Sequence, residues 1–431
     1  MSCSFLEDLN NRGLVFQIAG EEGLSRWLGG SERTLYCGFD PTADSLHIGS
    51  LVPLLTLRRF QLAGHRPLAL VGGATGLIGD PSFKSEERTL NSQNVVEAWV
   101  EKIEGQLGRF IDFDQGSFSA KVVNNLEWTK DYDVLTFLRD VGKHFSVNSM
   151  IQKESVKQRI TREGDGISFT EFSYMILQSF DFVMLNKLHD CGLQIGGSDQ
   201  WGNITAGIDL TRRMNGETVF GLTQPLVTKS DGSKFGKTEA GTVWLNASRT
   251  SPYAFYQFWL GTADEDVYKF LRYFTFLSLE DIECIEKEDA ENDGRPQAQI
   301  VLAEEITRLV HGEDGVMTAK RITDALFSGA SDSLSEEDFK QLRQDGLPSS
   351  SHHFSTLPAS LTQLLADTGM AASGKQVKDA LQRNAVFING EPIGWDSNTE
   401  LVKCFRKENA CFGRFFLVRL GRKKYHLFEM Q

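Results

Sequence analysis

The sequence predicts an α/β protein in which a parallel-sheet domain precedes an α-helical domain and a small α+β domain. Three patterns lead to this prediction. A strand, a helix and a second strand follow one another between residues 34 and 71, and such a βαβ unit implies a parallel sheet. Apolar residues recur at helical spacing from Ser251 to about Phe327. After residue 350, two short helices precede a tail rich in strand-forming residues.

Local patterns define the first elements in chain order. Residues 1–30 carry apolar side chains at the spacing of an amphipathic helix, and Thr34–Phe39 is a short run of strand formers. A polar turn leads into a helix over about 47–63, which Gly64 ends. Residues 67–71 are apolar throughout and predict a second, buried strand.

The remaining elements define the expected domain boundaries. Helices are predicted over 134–143 and 170–187, and strands over 193–196 and 224–228. A polar stretch rich in Ser and Asp follows the long helical region and is typical of a linker with one short helix. The predicted divisions are domains at 1–246, 247–330 and 351–431, with the linker at 331–350.

The composition is that of a globular chain. Apolar residues make up 40% of 431 residues and charged residues 24%, which excludes collagen-like and wholly disordered proteins. The net charge of −13 argues against nonspecific binding to polyanions such as DNA. The segment 401–431 is an exception, because it carries eight Lys and Arg against two Glu. It predicts a local polyanion contact, or alternatively a solvated strand face.

Cysteine usage and the N-terminus indicate the compartment. Six cysteines are scattered without a Cys-x-x-Cys pair, so we expect reduced thiols, a cytoplasmic location and no protein-ligated metal. The N-terminus lacks the basic and apolar regions of a signal peptide. We also expect no membrane contact, since no run approaches the ~18 apolar residues of a membrane span.

Two motifs suit phosphate chemistry. His47-Ile-Gly-Ser50 opens a helix, whose free N–H groups favour phosphate while Gly49 lets a nucleotide approach. Lys234-Phe-Gly-Lys-Thr238 places two cations on a glycine loop that can stabilise a transferring phosphate. The alternatives are a packing histidine and a solvated loop. A P-loop is excluded, because only three residues separate Gly232 from Gly236.

Polar residues at strand ends and on one helix suggest a second binding region. Asp80 follows a glycine-rich strand end that does not spell the G-x-G-x-x-G dinucleotide motif, so we favour a carboxylate for an ammonium ligand. Tyr174, Gln178 and Asp181, at i, i+4 and i+7, share one helix face that either lines a pocket or faces solvent. Residues 193–203 suit ribose and amino-acid contacts, or form a tight turn.

Together these motifs resemble those of a known family. His47–Ser50 and Lys234–Thr238 resemble the two signature motifs of class I aminoacyl-tRNA synthetases. Segments 35–47, 79–82 and 194–202 resemble the bacterial type of tyrosyl-tRNA synthetase. The resemblance implies a Rossmann-like catalytic domain, an α-helical anticodon-side domain and an S4-like RNA-binding domain. It implies an enzyme that makes tyrosyl-adenylate from L-tyrosine and Mg·ATP and transfers the tyrosine to the terminal ribose of tRNA(Tyr).

The resemblance also implies which residues meet each substrate. A site that hydrogen-bonds the phenol rejects phenylalanine because its own polar groups would be left unpaired, and tyrosyl-tRNA synthetases are the known example of this effect. For tyrosine, the implied residues are Tyr36 and Asp181 at the phenol, Asp80, Tyr174 and Gln178 at the ammonium, and Gln200 near the carboxylate. For ATP, they are Gly38, Asp40, Gly49, Ser50, Asp199 and Lys237. For catalysis at the phosphates, they are His47, Thr42, Lys84, Arg88, Lys234, Lys237 and Thr238.

Two departures from the family pattern bear on an alternative. Ser50 stands where the first motif usually ends in a second histidine, and Phe235-Gly236 replaces the usual Met-Ser. Ser50 is the feature that favours a relative that binds RNA but has lost catalysis.

The resemblance extends to RNA and to a second subunit. Residues 373–390 resemble the helix-then-strand pattern of S4-type domains, with Lys375, Lys378 and Arg383 as implied phosphate contacts. The family is homodimeric, and the segment 135–150 is the expected interface.

Overall fold

The computed structural model describes residues 4–81, 91–114, 116–153, 156–157, 160, 166–230, 232, 235–238, 241–291, 296–358, 360–397 and 401–431. The chain forms two units. The first comprises the residues up to Asn246 together with Ala263–Ala298, and the second comprises Ala247–Thr262 together with Gln299–Gln431. Among the described residues, no helix has both the length and the apolar character needed to cross a membrane.

A mostly parallel sheet forms the centre of the first unit. Its strands lie in the order β1-β6-β5-β2-β3-β4, with β1 alone antiparallel to its neighbour among the described pairs. The sheet order reverses between β5 and β2, and ligands of such folds bind in the crevice at this switch point. The strands are β1 Gln17–Ala19, β2 Thr34–Phe39, β3 Arg66–Val71, β4 Lys121–Asn124, β5 Cys191–Gly197 and β6 Phe220–Gln224.

Helices cover this sheet and connect its strands. A core of buried apolar side chains packs between the sheet and the helix Phe169–His189, with Tyr36, Phe180 and Phe182 among its largest members. The longer helices in the first unit are Glu21–Gly30, Leu51–Leu62, Gln93–Leu107, Phe169–His189, Trp201–Asn215, Asp264–Phe274 and Leu279–Glu291. The shorter ones are Phe5–Asn11, Thr75–Ile78, Leu126–Thr129, Val134–Asp140 and Val147–Ile151.

The N-terminal region differs from the predicted single helix. Two helices, Phe5–Asn11 and Glu21–Gly30, flank the short strand β1. Gly13 and Gly20 adopt the left-handed conformation, with φ of 76° and 84°, and so interrupt the helical path on both sides of that strand. Apolar spacing alone did not reveal these two breaks.

The region predicted as one helical domain is divided between the two units. The helices Asp264–Phe274 and Leu279–Glu291 belong to the first unit, whereas Pro252–Leu260 and Ala298–Ser328 belong to the second. The last of these bends at Gly312, where φ is 74° and ψ is 179°. A helical pattern therefore identified these elements but not the core against which each one packs.

The second unit contains an antiparallel sheet with one parallel edge strand. Its order is β11-β10-β12-β13-β9, where β9 is Ser349–His352, β10 Val386–Ile388, β11 Glu391–Ile393, β12 Phe415–Leu420 and β13 Lys424–Met430. The helices Leu361–Asp367 and Gly374–Gln382 pack on it and contribute to its apolar core. A further short helix spans Leu401–Cys404.

Residues 331–350 contribute Leu334, Phe339 and Leu342 to another apolar cluster of the second unit, which differs from their prediction as a linker. The helix Glu336–Gln341 begins with a capping box between Ser335 and Asp338. Phe339, fully buried, stacks on Phe415 with ring centroids 5.4 Å apart. The polar composition of this segment did not predict its burial, because a single aromatic side chain, Phe339, anchors an otherwise hydrophilic stretch.

Candidate active site

A cavity of about 600 Å³ lies at the carboxyl ends of the central strands in the first unit. Residues 36–40, which end and follow β2, line one side, and residues 194–200 at the end of β5 line the other. The cavity therefore occupies the switch point of the sheet. The His47 segment and Phe235 also line it, so both phosphate motifs reach the same space.

The inner end of the cavity holds a carboxylate with two hydrogen-bond donors. Asp181 is buried, and its oxygens accept hydrogen bonds from Asn125 Nδ2 at 3.0 Å and from Trp128 Nε1 at 2.9 Å. Burial raises the pKa of the Asp181 carboxyl to about 7, although both hydrogen bonds favour the ionised form. The donors orient the carboxylate and leave it able to accept another hydrogen bond.

Tyr36 lies beside this carboxylate. Its side chain is fully buried on β2, and among the described residues its hydroxyl has no hydrogen-bond partner. Burial raises the pKa of Tyr36 well above its usual value, and the nearby charge of Asp181 raises it further. A buried hydroxyl without a partner is costly, so its presence at a cavity wall points to a ligand hydroxyl that both groups bind.

A chain of hydrogen bonds continues from Asp181 toward the strand end. Asn125 also donates to Thr75 Oγ1 at 3.0 Å, and Thr75 donates to Asp40 Oδ1 at 2.7 Å. Tyr174 donates its phenol proton to Asp40 Oδ2 at 2.6 Å. Because each polar group holds its neighbour, this end of the cavity is rigid and preorganised.

Carboxylates and amides form the middle of the cavity. Gln200 Nε2 donates to Asp80 Oδ2 at 2.8 Å, and Asn203 Nδ2 donates to Gln178 Oε1 and Gln200 Oε1. Burial, and then the charge of Asp80, raises the pKa of the Asp199 carboxyl. Several carboxylates in a half-buried space favour a cationic group such as an ammonium.

The phosphate motifs meet at the outer end. His47 is exposed, and its Nδ1 accepts a hydrogen bond from the Gly49 N–H at 3.0 Å, which leaves Nε2 to carry the proton of the neutral ring. Ile48 N–H donates to Val243 O at 3.1 Å, and Val243 N–H donates to Gly236 O at 3.0 Å. Backbone hydrogen bonds therefore connect the histidine segment with the lysine loop.

Comparison with known proteins identifies the family. The family model described as tRNA synthetases class I (W and Y) matches residues 30–328, and the model for the tyrosine–tRNA ligase SYY-like C-terminal domain matches residues 338–428. A tyrosine–tRNA ligase from Aliivibrio fischeri is 60% identical over 98% of both chains, and one from Escherichia fergusonii is 58% identical over 99% of both. The chain belongs to the tyrosine–tRNA ligase family.

Solved structures agree with this assignment. A C-terminally truncated mitochondrial tyrosyl-tRNA synthetase from Aspergillus nidulans is 31% identical, with a TM-score of 0.68 over 76% of this chain and 95% of that one. A tyrosyl-tRNA synthetase from Archaeoglobus fulgidus, solved with L-tyrosine, is 15% identical. Its TM-score of 0.56, over 72% of this chain and 99% of that one, supports the fold alone.

The structure brings the candidates for tyrosine, and all the candidates for ATP except Lys237, into one cavity. The lining includes Tyr36, Gly38, Asp40, Thr42, His47, Gly49, Ser50, Asp80, Tyr174, Gln178, Asp181, Asp199 and Gln200. The carboxylate of Asp40, one of the ATP candidates, accepts hydrogen bonds from both Tyr174 and Thr75. The roles of these residues stay predictions.

Three further candidates, Lys84, Arg88 and Lys234, fall outside the described residues. Lys237–Thr238 forms a short strand that pairs with Gly241–Thr242. The three RNA candidates belong to the second unit, at the helix Gly374–Gln382 and its C-terminal end: Lys375, Lys378 and Arg383.

Sequence reasoning missed the groups that hold the inner end in place. Asn125 and Trp128 come from the short turn and helix after β4, and Thr75 begins the helix after β3. The one available signal was the position of Asn125, which directly follows a strand and therefore lies at the crevice of a parallel sheet. No local pattern shows that Asn125 is completely buried.

Proposed function

We propose that the cavity activates L-tyrosine with Mg·ATP to form tyrosyl-adenylate and pyrophosphate, and that the tyrosine then passes to the 3′-terminal ribose of tRNA(Tyr). The observation that carries this proposal is the fully buried hydroxyl of Tyr36, which has no hydrogen-bond partner among the described residues and lies beside the oriented carboxylate of Asp181. Membership in the tyrosine–tRNA ligase family supports the same reaction.

The phenol of the substrate is recognised between Tyr36 and Asp181. Its O–H donates to the Asp181 carboxylate, and its oxygen accepts from the Tyr36 hydroxyl, so each buried group gains a partner. Phenylalanine would fill the same space and leave both groups unpaired, and this penalty is the source of selectivity. Asn125 and Trp128 hold the carboxylate ready in the free protein.

The amino and carboxylate groups of tyrosine occupy the middle of the cavity. Asp80, Tyr174 and Gln178 receive the ammonium, where the carboxylate of Asp80 supplies the opposite charge. The hydrogen bond from Gln200 to Asp80 at 2.8 Å fixes the direction of that carboxylate. The substrate carboxylate then points toward Gln200 and the phosphate motifs.

ATP binds across the end of the sheet. Gly38, Asp40, Gly49 and Ser50 provide close backbone approach, and Asp199 meets the ribose hydroxyls. The tyrosine carboxylate oxygen attacks the α-phosphorus, and the bond to the bridging oxygen of pyrophosphate breaks. Since the substrate supplies its own nucleophile, the protein contributes position and charge.

Cations and hydrogen-bond donors stabilise the negative charge on the departing pyrophosphate. His47 and Thr42 contact the γ-phosphate region, with the His47 Nε2–H as donor. The rest of the pyrophosphate binds to the Mg²⁺ that arrives with ATP and to five further residues: Lys84, Arg88, Lys234, Lys237 and Thr238. The groups gain strength as negative charge develops on the leaving oxygens.

The second unit contacts tRNA(Tyr). Lys375 and Lys378 are exposed on the helix Gly374–Gln382, and Arg383 follows it. Together with the basic segment 401–431 they provide phosphate contacts on a chain whose net charge is −13. Cys37, Cys191, Cys284 and Cys411 are free thiols, which supports a cytoplasmic location for the protein.

The active form is a homodimer. Several apolar side chains between residues 134 and 151 are exposed on the first unit, and Leu135 is 79% exposed; they are Val134, Leu135, Leu138, Val147 and Ile151. Exposed apolar surface is typical of protein interfaces, and these residues lie within and beside the expected segment 135–150. Leu135→Glu should convert a dimer to monomers in sedimentation, whereas Leu188→Glu, at another exposed leucine, should not. Monomers in the unaltered chain would refute the dimer.

The reaction is tested by separating its two steps. Purified chain is mixed with ATP and labelled tyrosine, and tyrosyl-adenylate is measured in one turnover. tRNA(Tyr) is then added, and the label on tRNA is followed. We expect both products. A folded chain that binds tRNA but forms no adenylate would instead support the non-catalytic alternative, with Ser50→His as the first repair.

A further inference from the structure

A single helix of the first unit contacts the segments next to both phosphate motifs, the one before Lys237 and the one after His47. The helix Asp264–Phe274 carries Asp266, Phe270 and Phe274 at i, i+4 and i+8, so the three side chains share one face. All three are buried, with Asp266 only 2% exposed. This face packs against the segment that leads into the lysine loop.

Asp266 fixes the start of that segment. Its Oδ2 accepts hydrogen bonds from Ser230 N–H at 2.9 Å and from Ser230 Oγ–H at 3.1 Å. Its Oδ1 accepts from Lys269 Nζ at 2.6 Å, and Lys269 also donates to Thr228 O at 3.1 Å. Burial opposes ionisation of Asp266, but the hydrogen bonds from Lys269 and Ser230 lower the pKa of its carboxyl below the usual value.

Phe235 fixes the middle of the segment. Its ring lies 5.2 Å from Phe270 in an edge-on arrangement and 5.5 Å from Phe274 in a stacked one. Such ring pairs stabilise a contact beyond the burial of their apolar surface. Gly236 follows with φ of 79°, a conformation that favours glycine, and Lys237 comes directly after it.

The same helix is tied to the histidine motif from its other end. Arg59, on the helix Leu51–Leu62 that follows His47–Ser50, is buried and donates to the backbone oxygens of Arg272 and Thr275. The helix Asp264–Phe274 thus bridges the two motifs that meet the phosphates.

We propose that Asp266 is a positioning residue for adenylate formation: through Ser230 and the Phe235 contact it sets where Lys237 lies relative to His47. The inference rests on the proposed function and adds to it a residue outside the cavity lining. A misplacement of about 1 Å at a reacting group costs about 100-fold in rate, so loss of one of several attachments should cost about 10-fold.

The test is a double-mutant cycle between Asp266→Ala and Lys237→Ala, measured as the single-turnover rate of tyrosyl-adenylate formation. We expect Asp266→Ala to lower this rate about 10-fold, with tyrosine affinity and transfer from preformed adenylate unchanged within about twofold. In the Lys237→Ala background the same change should have almost no further effect, because the residue it positions is gone.

Matched variants separate positioning from folding. Glu265→Gln removes an exposed charge from the same helix turn and should leave all three measurements unchanged. If Asp266→Ala does not fold, Asp266→Asn replaces it, since its amide oxygen can still accept from Ser230 while its NH₂ faces the donor Lys269. That variant should lose less than Asp266→Ala would, about threefold, and again only where Lys237 is present.

Two results would overturn the inference. One is an adenylate rate within twofold of the unaltered chain for Asp266→Ala or, where that variant does not fold, for Asp266→Asn. The other is a double variant whose adenylate rate falls by the product of the two single losses. That result would mean that Asp266 acts independently of Lys237, as a structural ion pair with Lys269. Failure of the proposed function would look different, because the unaltered chain would then form no tyrosyl-adenylate at all.

Discussion

The two ends of the cavity hold their polar groups in different ways. At the inner end, Asp181, Asn125 and Thr75 are buried side chains that fix one another by hydrogen bonds. At the outer end, His47 is exposed, and its segment is held through backbone hydrogen bonds to Val243. Selectivity requires groups that cannot rearrange around a wrong ligand, whereas pyrophosphate release requires groups that solvent and product can reach.

The largest effect should follow from changing the inner carboxylate. Asp181→Asn keeps one acceptor oxygen but places its NH₂ against one of the two donors, Asn125 or Trp128. Sites that read a hydroxyl reject the analogue without it by about 10⁴ to 10⁵, a range for which tyrosyl-tRNA synthetases are themselves the known example. We expect the preference for tyrosine over phenylalanine, measured as the ratio of kcat/KM values, to fall at least about 1,000-fold.

Trp128→Phe is the matched control for that change. It removes one donor to Asp181 and keeps the carboxylate, so the preference should fall by only about 10-fold. Equal losses in both variants would show that the shape of the pocket, rather than the carboxylate, sets selectivity.

The second effect should appear at the outer end as a change of rate. Lys237→Ala removes a cation that stabilises the departing pyrophosphate, and removal of one such group costs about 100-fold in rate. The single-turnover rate of adenylate formation should fall by about this factor, and the dissociation constant of tyrosine should stay unchanged. A weaker tyrosine affinity with an unchanged rate would remove the distinction between the two ends.

The third effect is a dependence of tyrosine affinity on pH. Burial raises the pKa of Asp181 to about 7, with Asn125, Trp128, Tyr36 and Asp40 as its polar neighbours. Below that pH the carboxyl is protonated and can no longer accept the phenol proton freely. The dissociation constant of tyrosine should therefore rise as pH falls from 8 to 6, by up to about 10-fold per unit below the pKa.

Asp181→Asn supplies the control for this measurement. Its dissociation constant for tyrosine, though higher, should stay flat over the same range. The attribution to Asp181 fails if the dissociation constant of the unaltered chain does not change with pH. It also fails if the dissociation constant of Asp181→Asn still rises as the pH falls.

The smallest effect concerns the departure from the family motif. Ser50 occupies the N-cap position of the helix Leu51–Leu62 but makes no side-chain capping bond. Ser50→His should bring a longer donor to the nucleotide and lower the KM for ATP about two- to fivefold, with tyrosine affinity unchanged. A large loss of activity would mean that the serine itself has a role that histidine cannot fill.

The same contrast explains what the sequence could predict. Tyr174, Gln178 and Asp181 were found together because a helix repeats its face at fixed spacing, and that face does line the cavity. The phosphate motifs were found because their chemistry lies in short contiguous segments. In both cases, local spacing carries the information.

Features created by tertiary contacts were not predictable in this way. Asn125 and Trp128 reach Asp181 across more than fifty residues of chain, and Asp266 reaches Ser230 across 36. The segment 331–350 looked like a linker because only a few apolar residues, Phe339 above all, join it to a core. Such positions become visible only when the strands have placed distant segments side by side.

The most direct test of the central claim is tyrosine-dependent exchange of pyrophosphate into ATP, with phenylalanine as the competing substrate. The account predicts rapid exchange with tyrosine and a kcat/KM at least about 10⁴-fold lower with phenylalanine, because the buried Tyr36 and Asp181 would stay unpaired. Comparable exchange with both amino acids, in a folded protein, would contradict the claim that these two groups read the phenol.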